Sequence, residues 1–97
     1  MGKKIAPTTW VYIVVQDPGP NETIVGQVDS ENDISFIPAF SNKEDATKGR
    51  YLMATDKGSE YEVQAIIYED LAKYASENAF LIFMVDEDGK IVEKLAP

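Results

Sequence analysis

The chain has 97 residues and a net charge of −8, so it suits one small domain and disfavours nucleic acid and anionic membranes, which recruit basic patches. It contains neither cysteine nor histidine. That removes disulfides, thiolate nucleophiles, the usual structural zinc site, the Ser-His-Asp triad and the commonest acid–base group near neutral pH.

Residues 1–8 read as a flexible lead-in, and Ile5-Ala6-Pro7-Thr8-Thr9 is too polar for a signal sequence. The first strand is expected over Thr9–Gln16, rich in β-branched and aromatic residues. It is apolar on both faces, which predicts a central strand covered on each side. Asp17-Pro18-Gly19-Pro20-Asn21 is a turn. A second strand, Thr23–Val28, is weakened by Gly26, and Asp29–Asp33 turns the chain again.

The third strand, Ile34–Phe40, contains Pro38, which lacks a ladder donor and predicts an edge or an irregularity there. Ser41-Asn42-Lys43-Glu44 has the form of a capping box and predicts a helix to about Thr55. Gly49, inside that helix, costs about 1 kcal/mol relative to alanine. Close approach of the helix to the sheet would compensate. Gly58 follows the last turn.

The fourth strand runs over Tyr61–Tyr68 and a second helix over about Glu69–Asn78, with Leu71, Tyr74, Ala75 and Asn78 at helical spacing. Ala79–Val85 is the most apolar strand. Asp86-Glu87-Asp88-Gly89 is a hairpin signal, and Lys90–Leu95 returns. The longest apolar runs fall far short of the about 20 residues a membrane helix needs. The expected fold is a single α+β domain over residues 1–97. Its order is β-β-β-α-β-α-β-β, in a mostly antiparallel sheet of five to six strands with two helices on one face.

The stretch Phe36-Ile37-Pro38-Ala39-Phe40-Ser41-Asn42-Lys43-Glu44-Asp45-Ala46 resembles the N-terminal domain of the enhanced-serine-sensitivity protein SseB. Members of that family carry a strand ending in Pro-x-Phe-Ser/Thr, then acidic residues and an alanine opening a helix. Glu69-Asp70-Leu71 and apolar Phe80–Val85 follow the same order. The resemblance implies an architecture rather than an activity. The chain departs from the family in lacking a second domain and in reading Val85-Asp86-Glu87-Asp88-Gly89 where an Asn-Pro often ends the strand.

The candidate chemical sites have simpler structural readings. Asp86-Glu87-Asp88-Gly89 fails as a calcium loop, because Met84 and Leu95 occupy ligand positions. Asp29, Glu31 and Asp33 read as a solvated turn, and Glu69 and Asp70 as first-turn helix acids beside Glu62. No glycine-rich phosphate loop and no cofactor motif can be written. Residues 41–58 net +1 between flanks of −3 and −6, which reads as a solvated helix face.

A helix-free sheet face carrying Trp10, Tyr12 and Phe36 is the expected interaction surface. The expected function is a cytoplasmic, non-enzymatic module that forms a homodimer or binds a protein partner, with no cofactor. A small-ligand sensor would instead show an apolar pocket between helices and sheet. A carboxylate-based enzyme would show a polar cleft with converging ionisable groups.

Overall fold

The computed structural model describes residues 6–53 and 58–95. The first five residues of the lead-in expected over 1–8, the end of the first helix near Thr55, and Asp56 and Lys57 lie outside them. The elements are β1 (Trp10–Gln16), β2 (Thr23–Ile24), β3 (Gln27–Asp29), β4 (Ile34–Ala39), α1 (Lys43–Gly49), β5 (Tyr61–Ile67), α2 (Tyr68–Glu77), β6 (Leu81–Val85) and β7 (Ile91–Leu95). The fold is α+β and mostly antiparallel, in the expected order. The strands form two sheets, β2-β1-β5 and β3-β4-β6-β7.

The second expected strand breaks at Gly26. A Cβ there would lie 2.6 Å from Phe80 Cε1, so only glycine lets that ring press on the backbone where the chain passes from one sheet to the other. The sheets remain stitched. Tyr12 N–H donates to the Phe40 carbonyl at 2.9 Å and Phe40 N–H to the Tyr12 carbonyl at 2.8 Å. Pro38 is not on an edge, since β4 lies between β3 and β6. The β3 ladder stops at Phe36 and the next bond on that side is made by Phe40. Strand alternation points the proline nitrogen into this gap, so no ladder bond is lost.

The two helices lie on opposite faces, a correction to the single-face expectation. Val11, Ile13, Val15, Ile37, Ala39, Ile82 and Met84 form one core with Leu71 and Ala75 of α2. The alternate residues Phe40, Phe83 and Val85, flanked by Tyr12 and Val63, form another with Ala46 of α1. β1, β4 and β6 are apolar on both faces, so both faces must be covered. The helix-free face therefore does not exist. β6 returns parallel to β4 after the chain has crossed both faces through α1, β5 and α2.

Local signals largely hold, with shifts. Asn42, not Ser41, caps α1. Its Oδ1 accepts from Asp45 N at 2.8 Å and its Nδ2 donates to Asp45 Oδ2 at 3.2 Å. The cap has moved by one residue because Asn42 accepts well at an N-cap. Asp45 meets the Asn42 side-chain amide rather than the N-cap backbone N–H, so the pair is a cap without the reciprocal bond of a full box. α1 stops at Gly49 and tightens into a 3-10 turn over Arg50–Leu52. At Gly49 a Cβ would lie 2.4 Å from Phe40 Cε2, which is the close approach the sequence implied. Asp86 closes the β6–β7 hairpin, its Oδ1 accepting from Asp88 N and Lys90 N, each at 2.9 Å.

Candidate functional site: an open strand edge beside an apolar patch

β5 pairs with β1 over seven positions and has no other strand neighbour among the described residues. Tyr12 spends both backbone groups on Phe40, so alternation turns those of Val11, Ile13 and Val15 toward β5. Their partners Ile66, Gln64 and Glu62 answer them. The backbone groups of Val63 and Ala65 therefore point outward, and no partner for them exists among the described residues. One end of the edge is closed, because Arg50 Nη1 donates to the Tyr61 carbonyl at 3.2 Å.

The apolar surface beside this edge follows from the same register. Trp10 opposes Ile67, Tyr12 opposes Ala65 and Val14 opposes Val63, all on the α1 side. α1 is short and covers only the Val63 end with Ala46. Beyond it Trp10 is 56% exposed, Ala65 is exposed, and Tyr12 and Ile67 are half-buried. Of the three residues expected to form an interaction face, Trp10 and Tyr12 come together here. Phe36 does not join them. It stacks on Phe83 at 4.4 Å between ring centroids and lines a separate groove of about 180 Å³ with Val28, Pro38 and Ile91. Ala65 and Ile67 were missed as partners of Trp10 because cross-strand register cannot be read from spacing within one strand.

Apart from Lys48 with Glu44 and Glu87 on the exposed surface, the ionisable side chains do not converge among the described residues. Glu62, Glu69 and Asp70 are exposed. Asp29 accepts from the Asn32 side chain at 2.9 Å and from Glu31 N at 3.1 Å. These bonds, the Asn32 side chain foremost, hold its carboxyl below the usual range. Both oxygens thus serve the turn, and among the described residues no three acidic side chains gather around a cation-sized space. Burial, reinforced by the Glu93 carboxylate, holds the Tyr68 phenol above its ordinary range, which keeps it protonated and unsuited to act as a base. Glu93 Oε2 is itself buried without a hydrogen-bond partner among the described residues.

A second concavity of about 630 Å³ lies at the seam between the sheets, lined by residues including Gln16, Thr23, Gly26, Ser35, Tyr74 and Phe80. No helix among the described residues is long and apolar enough to cross a membrane. The architecture defines a small α+β domain in which β5 is the longest edge strand among the described residues. Compared with family models, curated proteins and solved structures, the chain matches none.

Proposed function

We propose that the chain is a non-enzymatic interaction module that forms a homodimer by pairing β5 with β5 of a second copy. The observation that carries this reading is the outward-facing backbone of Val63 and Ala65 next to the Trp10 patch. An unpaired edge beside apolar surface is a template for strand addition. The strand is self-complementary when a two-fold axis passes at Ala65. Ala65 then faces Ala65 of the copy, and Val63 faces Ile67. The paired span is Val63–Ile67 of each copy, so Glu62 lies outside it and opposes no second carboxylate, and the two Trp10 patches adjoin. Such an isologous contact closes on itself and stops at two subunits. It also leaves the Tyr61 carbonyl to Arg50.

The cytoplasm is the proposed compartment, supported by a chain without cysteine, and the acidic charge supports a partner other than nucleic acid. Kinship with the SseB N-terminal domain is likewise a proposal, carried by Phe36–Ala46. Light scattering tests the assembly. The wild-type chain should weigh twice its 10.8 kDa. Ala65→Pro, which deletes an outward N–H and no internal bond, should weigh 10.8 kDa with unchanged circular dichroism. A dimeric Ala65→Pro, or a monomeric wild type at high concentration, would sink the reading.

A further inference from the structure

The seam cavity is a separate feature from the β5 edge, and its chemistry is specific. Over a quarter of the chain is charged (27%), yet no charged side chain among the described residues lines the cavity. An ion placed there would lose hydration without meeting an opposite charge, which is costly. The −8 charge of the chain opposes anions further. What the walls offer is neutral hydrogen bonding and aromatic surface. Gln16 Nε2 donates to Ser59 Oγ at 2.9 Å, which fixes an amide that still has a second N–H and a carbonyl oxygen to offer. Thr23 and Ser35 add hydroxyls from different sheets.

The aromatic wall is held in place. Phe80 lies on the Gly26 backbone, and the Tyr74 ring is nearly parallel to it, at 8° and 6.4 Å between centroids. The volume of about 630 Å³ falls within the about 300–1,000 Å³ typical of small-molecule sites. We infer that the seam between the sheets is a binding site for a neutral, polyhydroxylated ring compound of the monosaccharide class. Its C–H face would lie on Phe80 and Tyr74. Its hydroxyls would exchange hydrogen bonds with Gln16, Thr23 and Ser35, bridging the two sheets.

Nitrogen-15 NMR titration tests this, with glucose, galactose, mannose and N-acetylglucosamine as neutral probes and glucuronate and glucosamine as charged ones. The expected result is saturable movement of the Gln16 side-chain amide and the Gly26 backbone signal with at least one neutral sugar. Charged counterparts should bind at least about tenfold more weakly. Ser35→Ala and Thr23→Val, neither of them in the buried core, should each weaken binding by up to about tenfold. The inference is overturned if no neutral sugar moves these signals even at about 100 mM, a weak-binding regime. It is equally overturned if a charged sugar binds as tightly as the neutral ones, or if both variants bind like wild type.

Discussion

The two longest edge strands, β5 and β7, are treated differently by the sequence. β7 has five residues, two of them charged (Glu93 and Lys94), and its pairing with β6 is interrupted by a register shift at Met84/Val85. Short length, charge and irregularity are the devices that blunt an edge. β5 has seven residues, one charge at Glu62 and an unbroken register. The remaining edges, β2 and β3, have two and three residues and are too short to template much. One edge of four has been left without protection, which is how a strand-pairing surface differs from an edge that merely ends a sheet.

Proline scanning of β5 has the largest expected effect. Gln64 N–H faces β1, so Gln64→Pro removes a ladder bond, should cost about 1–3 kcal/mol or more and should lower the melting temperature measured by circular dichroism. Its neighbour Ala65→Pro should leave the fold intact. Equal damage at the two positions would mean that the outward and inward sides of β5 have been misassigned. Charge exchange between the edges comes next. Ala65→Lys should weaken self-association by tenfold or more, on the order of 1.4 kcal/mol. Lys94→Val should make β7 adhesive and add species heavier than a dimer in sedimentation velocity.

Salt should sharpen the comparison further. Each copy carries −8, Glu62 lies in β5 and Glu60, Glu69 and Asp70 flank it, so repulsion opposes pairing. Raising ionic strength from about 0.05 to about 0.5 M should tighten the dimer as the screening length falls. Ala79→Gly is a control away from both edges. Ala79 ends α2 at φ 60°, with Phe80 N–H donating to the Ala75 carbonyl at 2.8 Å. Glycine there should add about 1 kcal/mol of stability in urea unfolding without changing the mass.

The smallest effect is expected at Lys48. Glu87 at 3.0 Å, with Glu44 at 3.4 Å, raises its pKa above 10.5. A raised pKa means the pair stabilises the fold below 10.5 and the contribution is lost as pH climbs through the higher folded-state value. The pair is exposed, so Lys48→Ala should move the neutral-pH melting temperature least among these variants.

Much of this fold is legible in sequence. The continuous apolar runs of β1 and β6, the alternation in β5, the helical spacing of Leu71 and Ala75, and the Asp-Gly hairpin each follow from local residue order. What could not be read is non-local. Gly26 signals a weak strand, but only the Phe80 ring pressed on it shows that the strand splits between two sheets. Apolar residues on both faces of β1 imply two covers, yet which helix goes to which face depends on the path through β5. Trp10 and Tyr12 stand out in sequence as large apolar residues. Phe36 stands out equally, and only its stack on Phe83 removes it from the exposed patch. The open edge itself has no sequence signature beyond the scarcity of charge in β5, because an edge is defined by the strand that is missing.

Amide hydrogen exchange followed as a function of protein concentration tests the central claim most directly. If β5 pairs with its copy, exchange at Val63 and Ala65 should slow as concentration rises through the dimerisation range, while Gln64, bonded to β1 in either state, keeps its rate. Concentration-independent exchange at Val63 and Ala65, in a sample that is nonetheless dimeric, would place the interface elsewhere and contradict the account.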